Sequence, residues 1–198
     1  MKFRRFKFVI LAVWLLCALV FFLNLWARNE SSSAQTKNKQ VKEIEGYKNW
    51  TKVNQTPQLM PQRVAQACAL WLSSKGAIID GEENPHRDRY FTVYVNETGR
   101  KAMLEQKNPK FPEGAVIVKE KLPDEKSRTP ELLTVMIKQK KGYNPENGDW
   151  EYMVVDGTGT KIEGRGNLQN CQSCHIDYKK SDYIFRTYLD KKTKSHLK

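Results

Sequence analysis

Arg89-Tyr-Phe-Thr-Val-Tyr-Val-Asn96 is a run of aromatic and β-branched residues with a period of two, which predicts a half-buried β-strand. Three similar runs follow at residues 115–121, 132–139 and 150–155. Turn-forming sequences separate the runs: Asn96-Glu-Thr-Gly99, Pro112-Glu-Gly114, Pro130 and Asn144-Pro-Glu-Asn-Gly148. Short turns join antiparallel strands, whereas parallel strands need longer crossover connections. The middle of the chain therefore predicts an antiparallel sheet.

Helices are expected to flank this sheet. After Pro61, apolar residues recur at helical spacing, namely Val64, Ala65, Cys68, Ala69, Leu70, Trp71 and Leu72. Residues 100–106 predict a short helix between the first two strands. The chain of 198 residues is long enough for one ordinary globular domain, which we place at residues 47–189. The predicted fold class is α+β: a β-rich antiparallel sheet with flanking helices, preceded by an N-terminal transmembrane helix.

Residues 1–28 are predicted to be a signal anchor. Residues 8–26, FVILAVWLLCALVFFLNLW, form an apolar run just long enough to cross a bilayer core as a helix. Basic residues precede this run and are expected to stay in the cytoplasm, which sends the domain to the periplasm or another extracytoplasmic side. Cleavage of the segment would instead release the domain into the periplasm. The polar residues 29–46 are typical of a flexible spacer, and residues 190–198 of a basic, solvated tail.

The formal net charge is +12, and four of the positive charges, Lys2, Arg4, Arg5 and Lys7, precede the apolar run. The remaining basic excess suits acidic partners or a membrane surface. A nucleic-acid partner is not expected, because no basic face with interleaved aromatics accompanies the charge.

Cys171-Gln-Ser-Cys-His175 has the spacing of c-type haem attachment. Two thiols at this spacing can form thioethers with the two vinyl groups of one porphyrin, and the adjoining imidazole can bind the iron. The sequence predicts one covalently bound haem c, attached at Cys171 and Cys174, with His175 as the axial ligand of the iron.

Three other interpretations of this motif are a redox dithiol, half of a zinc site and a plain disulfide. A zinc site would need two more ligands, and the remaining soft candidates, Cys68, His86 and His196, form no spaced second pair. A redox dithiol normally opens a helix in a βαβ context, whereas this motif follows a β-rich segment. Cys68 itself fits a small buried residue on the apolar helix face.

The other axial position of the iron is open in the sequence. A Met or His ligand there would favour electron transfer, and an open position would let the iron bind small molecules. The candidates are Met60, Met103, Met136, Met153, His86 and His196. Met136 and Met153 lie in β-runs, where core packing accounts for them.

Several segments taken together resemble the cytochrome P-460 family. They are Pro85-His-Arg-Asp-Arg-Tyr-Phe-Thr-Val-Tyr-Val-Asn96, Phe111-Pro-Glu-Gly-Ala-Val-Ile-Val-Lys-Glu-Lys121, Gly148-Asp-Trp-Glu151, Cys171-Gln-Ser-Cys-His175 and Asp182-Tyr-Ile-Phe185. The resemblance covers residues 47–189. It implies a β-rich haem protein, commonly a homodimer, with five-coordinate iron on a proximal histidine, which corresponds to His175.

The name-giving members of that family oxidise hydroxylamine and bind nitric oxide, and they carry a lysine cross-linked to a haem meso carbon. The similar cytochromes c′-beta lack this bond and bind nitric oxide in an apolar pocket. Lys119 is the first candidate for a cross-link here and Lys121 the second, both on the strand face opposite Val116 and Val118. The alternative is that both lysines are ordinary solvent-facing charges.

The resemblance suggests further groups around the iron. Hydroxylamine oxidation needs proton removal, for which the nearby candidates are Glu113, Glu120, Arg87 and Asp88. Phe91 and Phe111 are candidates for an apolar lid or for core packing. The leading functional hypothesis is a monohaem cytochrome that binds nitrogen oxides or hydroxylamine, oxidises hydroxylamine and passes electrons to a redox partner protein. The alternatives are a membrane-tethered electron-transfer cytochrome and a nitric oxide binding or sensing protein without catalysis.

Overall fold

The four predicted strands form the centre of one antiparallel sheet in the computed structural model, which describes residues 39–62 and 88–197. The sheet contains β1 (Thr51–Lys52), β2 (Gln58–Leu59), β3 (Tyr90–Val95), β4 (Val116–Leu122), β5 (Leu132–Lys138), β6 (Trp150–Asp156) and β7 (Ile162–Gly166). Its order is β1-β3-β4-β5-β6-β7, with β2 also paired to β3, and each pairing is antiparallel. The predicted antiparallel sheet is therefore confirmed.

Short helices accompany the sheet in the described part of the chain. The α-helices are α1 (Glu97–Leu104), α2 (Gln169–His175) and α3 (Lys191–Ser195), and the 3-10 helices are Lys42–Ile44, Tyr47–Asn49, Pro145–Asn147 and Ile176–Ser181. Helix α1 begins three residues before the predicted start because Asn96 caps it. The Asn96 Oδ1 atom accepts hydrogen bonds from the backbone N–H groups of Gly99 (3.1 Å) and Val116 (3.0 Å). One side chain thus ends β3, starts α1 and ties both to β4.

Some predicted features lie outside the described residues: the membrane helix at residues 8–26, most of the spacer, the helix after Pro61 with Cys68, and His86 and Arg87. Within residues 39–62 and 88–197, no helix has the length and apolar character needed to cross a bilayer. The packed chain begins before Tyr47. The Ile44 side chain is completely buried, and the Val41 N–H donates a 2.8 Å hydrogen bond to the Gly159 carbonyl.

Alternation along β4 assigns its side chains to two opposite faces of the sheet. The first, which we call the Lys119 face, carries Phe91, Val93, Ile117, Lys119, Met136 and Tyr152. The second, the Val118 face, carries Val116, Val118, Leu133, Val135, Met153 and Val155. Residues near the C-terminus, including Tyr183 and Ile184, pack on the Lys119 face, whereas Ile44 and Tyr47 pack on the Val118 face. The two faces therefore belong to two separate hydrophobic clusters.

A buried carboxylate lies on the Val118 face. Glu120 accepts a 2.8 Å hydrogen bond from the Tyr47 hydroxyl, and the Lys48 Nζ atom is 3.7 Å from the same carboxylate oxygen. Burial and this hydrogen bond to Glu120 raise the pKa of the Tyr47 hydroxyl, which therefore stays protonated. Glu120 was a sequence candidate for proton transfer beside Lys119, and its position on the opposite face corrects that expectation.

Replacing Tyr47 by phenylalanine tests the strength of this contact. We expect Tyr47→Phe to lower the free energy of unfolding by about 1–2 kcal/mol, because a buried carboxylate loses one hydrogen-bond donor. Urea denaturation followed by circular dichroism measures the change. Tyr143→Phe is the control, since Tyr143 is exposed and its hydroxyl has no comparable buried acceptor among the described contacts. Equal stabilities of the two variants would contradict the expectation.

Candidate haem-binding site

Helix α2 carries the Cys-x-x-Cys-His motif against the Lys119 face. It begins after Leu168, whose carbonyl accepts hydrogen bonds from the N–H groups of Cys171 (3.0 Å) and Gln172 (3.1 Å). Cys171 packs against the hydrophobic cluster of this face, and no disulfide joins Cys171 to Cys174. The two thiols lie one helical turn apart, so both can reach one edge of a planar ligand.

His175, the last residue of α2, is held by a backbone carbonyl and two aromatic rings. Its Nδ1 atom lies 2.6 Å from the Tyr183 carbonyl oxygen. Because a carbonyl can only accept, Nδ1 carries the proton in the neutral ring, and Nε2 keeps the lone pair that binds a metal. The ring centroids of Phe185 and Tyr152 lie 4.7 Å and 5.4 Å from that of His175.

The surroundings keep this imidazole neutral. The pKa of His175 is lowered to about 4, chiefly by burial; the hydrogen bond to the Tyr183 carbonyl opposes this shift, and the positive charge of Lys119 adds a smaller lowering. At neutral pH the imidazole is therefore uncharged. Lys119 lies on the same face of the sheet as Tyr152, the residue whose ring packs against His175.

The two candidate lysines differ in their surroundings. Both lie on the face opposite Val116 and Val118, in agreement with the predicted alternation. The Lys119 Nζ atom lies 4.8 Å from the centroid of the Phe91 ring. The Lys121 Nζ atom instead lies 3.3 Å from a carboxylate oxygen of Glu131, which also accepts a 3.1 Å hydrogen bond from Arg89. Lys119 thus lies over a buried aromatic ring of the Lys119 face, and Lys121 belongs to an ion-pair group.

Buried polar groups are normally hydrogen-bonded, so those without a partner indicate where the polar groups of a cofactor could bind. In the described part of the chain they are the Tyr152 hydroxyl and the Nε and Nη2 atoms of Arg186. Burial raises the pKa of the Tyr152 hydroxyl, as does the nearby Cys171, and burial lowers the pKa of Arg186. Tyr152 lies against His175, and Arg186 follows Phe185 in the chain. Two thiols, a metal-binding nitrogen, aromatic walls and the unpaired Tyr152 hydroxyl suit a planar cofactor with polar edges.

The candidates for the second axial ligand lie in different parts of the structure. Met60, Met103 and Met136 are buried in the cluster of the Lys119 face, and Met136 pairs directly with Tyr152 across β5 and β6. Met153 lies on the opposite face, so it cannot reach the His175 side. His196 is exposed near the C-terminus, with Nδ1 2.6 Å from the Lys192 carbonyl oxygen. Core packing is confirmed for both Met136 and Met153.

The remaining sequence candidates occupy different places. Phe91 and Phe111 are both buried on the His175 side, Phe91 near Lys119 and Phe111 with its ring centroid 5.4 Å from that of Trp150. Glu113 is exposed in the loop before β4. Within residues 39–62 and 88–197, no group of three or more His, Cys, Asp or Glu side chains is arranged to hold a metal ion.

Tyr152 is a site residue that sequence reasoning missed. Tyr152 had a detectable signal, because it lies two residues after the buried Trp150 and therefore on the same face of β6.

An antiparallel sheet with one face turned to a Cys-x-x-Cys-His helix defines a cytochrome of the β-rich class. The model of the cytochrome P460 family matches residues 44–186, more than two thirds of the chain, and the chain belongs to this family. Haem, and with it iron, is therefore its cofactor. No curated protein matches the chain.

Proposed function

We propose that this chain is a c-type monohaem cytochrome that binds hydroxylamine or nitric oxide and oxidises hydroxylamine. Cys171 and Cys174 hold the haem through thioethers, and His175 binds the iron through Nε2. The observation that carries the proposal is the 2.6 Å contact between His175 Nδ1 and the Tyr183 carbonyl, which leaves Nε2 as the metal-binding atom. When bound, haem supplies an iron site for a small nitrogen ligand and a route by which electrons leave.

Lys119 is the residue proposed to modify this haem. Its amine lies on the His175 side, near Phe91, and it contributes to the lowered pKa of His175. A cross-link forms a bond between Nζ and a haem meso carbon. Each of the two atoms would lose one hydrogen, and an oxidant such as peroxide would take up the two electrons and two protons and be reduced to water. Lys121 is less suited, because Glu131 holds its ammonium group at 3.3 Å.

Comparison of Lys119→Ala with Lys121→Ala tests this role. We expect Lys119→Ala to remove the far-red-shifted ferrous Soret band of a cross-linked haem and to lower hydroxylamine turnover at least about tenfold, or ~1.4 kcal/mol in the barrier. Lys121→Ala is the matched control, since it removes an amine from the same strand face, and it should keep both properties. Recovery of an unmodified Lys119 peptide from digested, pigmented parent protein would rule out the cross-link.

Binding of nitric oxide without catalysis is the second candidate function, and one observation favours it. In the sheet register, Lys119 pairs with Val93 on β3 and Thr134 on β5, and Thr134 pairs with Val154 on β6. The buried side chains beside Lys119 on this face, Phe91, Val93 and Ile117, are apolar, which suits the apolar pocket of the nitric oxide binders in the resemblance. Nitric oxide titration with no hydroxylamine turnover would select this function. A six-coordinate, low-spin spectrum would instead select an electron carrier.

The charge and the N-terminal sequence support the proposed location of the protein and its proposed partner. Residues 8–26 support an inner-membrane anchor with the haem domain in the periplasm, and the basic excess supports an acidic redox partner. The proposed homodimer is supported by the family resemblance alone. Recovery of the full chain from carbonate-washed membranes would agree with an anchor, and release into the soluble fraction would contradict it.

A further inference from the structure

We propose that Asp182, with Trp150, is a positioning residue that fixes the orientation and donor strength of the His175 imidazole through the Tyr183 carbonyl. This inference rests on the proposed role of His175 as the iron ligand. It concerns the pair Asp182–Tyr183 and the side chains that hold it, which we call the histidine corner.

The backbone of the histidine corner is unusual. Asp182 and Tyr183 have φ angles of 54° and 66°, so two successive residues with side chains adopt the left-handed conformation. The end of the preceding 3-10 helix accounts for the first, because Asp182 is its C-terminal cap. The end of the helix does not account for the positive φ angle of Tyr183. An unfavourable conformation persists when surrounding contacts over-determine it, and such conformations cluster at functional sites.

Asp182 is held from three directions. Its Oδ2 atom accepts 2.8 Å hydrogen bonds from the Lys138 Nζ atom and from the Phe111 backbone N–H. Its carbonyl oxygen accepts a 2.8 Å hydrogen bond from the Trp150 indole N–H. Lys138 also lies over the Trp150 ring, at 4.9 Å from its centroid. Asp182 is almost completely buried and Trp150 is fully buried, so these contacts are protected from water.

Tyr183 is held as firmly. Its hydroxyl donates a 2.8 Å hydrogen bond to the Glu146 carbonyl, and its ring lies against Gly148, where a Cβ atom would be 2.5 Å from the ring. The Tyr183 carbonyl is therefore fixed between an anchored residue and an anchored ring. That carbonyl is the acceptor for His175 Nδ1–H at 2.6 Å.

The hydrogen bond from His175 Nδ1–H to the Tyr183 carbonyl influences the reduction potential of the iron through the imidazole ring. A fixed acceptor on the remote imidazole nitrogen sets the tautomer and the ring orientation and raises the basicity of the coordinating nitrogen. A more basic axial ligand favours the oxidised iron, which lowers the reduction potential. If the corner loosens, the carbonyl moves from Nδ1, the iron–histidine bond weakens and the potential rises.

The test uses holoprotein with Trp150→Phe, which removes the indole donor and keeps an aromatic ring. The readouts are the iron–histidine stretching band of the ferrous protein, by resonance Raman spectroscopy, and the midpoint potential. We expect the band to move to lower frequency and the potential to rise. Lys138→Met is the second variant, because it removes the other side-chain partner of Asp182 and does not alter the indole. Its shifts should have the same signs.

Tyr47→Phe is the matched control, since it removes a buried 2.8 Å hydrogen bond on the Val118 face. It should be destabilised yet keep the parent band and potential. Parent values in both corner variants would overturn the inference while leaving the proposed function intact. An absent iron–histidine signature in the parent protein, with the haem lost on denaturation, would overturn both.

Discussion

The double variant Cys171→Ser/Cys174→Ser should lose all haem that survives acid-acetone extraction. A serine hydroxyl has nearly the shape of the thiol but does not form a thioether with a vinyl group. Both cysteines are only partly buried in α2, so the smaller oxygen should leave the helix in place. The variant is therefore expected to fold and to bind haem loosely through His175, with the pigment extracted on denaturation.

Haem staining after denaturing electrophoresis measures this loss in protein expressed with the haem-attachment machinery. Each single variant should keep one thioether and part of the stain. Cys68→Ser is the control, because Cys68 stands outside the motif, and it should stain like the parent. Full staining of the double variant would refute covalent attachment at these two residues. The membership in the P460 family would stand, but the haem would be held in another way.

The strands could be predicted from the sequence because their signal is local. The runs at residues 89–96 and 150–155 carry enough β-branched and aromatic residues to show their period, and their bounds match β3 and β6 within one residue. Strand β7, Ile162–Gly166, was missed. It contains two glycines, is mostly exposed and shows no apolar alternation, so only its pairing with the edge of β6 defines it.

The sequence predicted the candidate haem-binding residues but not the residues that hold them in position. Strand alternation placed Lys119 and Lys121 on one face, but the contact that separates them comes from Glu131, at a turn ten residues later. The same alternation would have excluded Glu120 as a partner of Lys119. The histidine corner has no local signal, since Asp-Tyr contains no glycine, and contacts with residues distant in the chain, such as Lys138 and Trp150, hold its conformation.

The two faces of the sheet have different roles: the Val118 face contributes to stability, and the Lys119 face carries the candidate haem site. The Val118 face is closed by the chain around Ile44 and Tyr47, and its buried carboxylate is paired within the protein. The Lys119 face holds the thiols, the imidazole and the unpaired Tyr152 hydroxyl. Changes on the first face should therefore alter the free energy of unfolding alone, and changes on the second should alter the spectrum of the haem as well.

Gly148→Ala should be among the most destabilising single substitutions, and it should also disturb His175. Gly148 has a φ angle of 65°, where a residue with a Cβ atom costs ~1–2 kcal/mol. The new methyl group would lie 2.5 Å from the Tyr183 ring, and such overpacking adds ~1–3 kcal/mol. We expect a loss of about 2–5 kcal/mol, a large part of the total stability of an ordinary domain.

Gly142→Ala is the control that separates the cost of the backbone conformation from the cost of overpacking against Tyr183. Gly142 also has a positive φ angle, 93°, but a Cβ atom there would meet nothing within 4 Å. Its loss in urea denaturation should therefore contain only the backbone cost, and its iron–histidine band should match the parent. Gly148→Ala should unfold at lower urea than Gly142→Ala and shift the band, because the displaced Tyr183 ring carries its carbonyl away from Nδ1. If both variants lose the same stability and keep the parent band, the contact between Gly148 and Tyr183 does not hold the axial histidine.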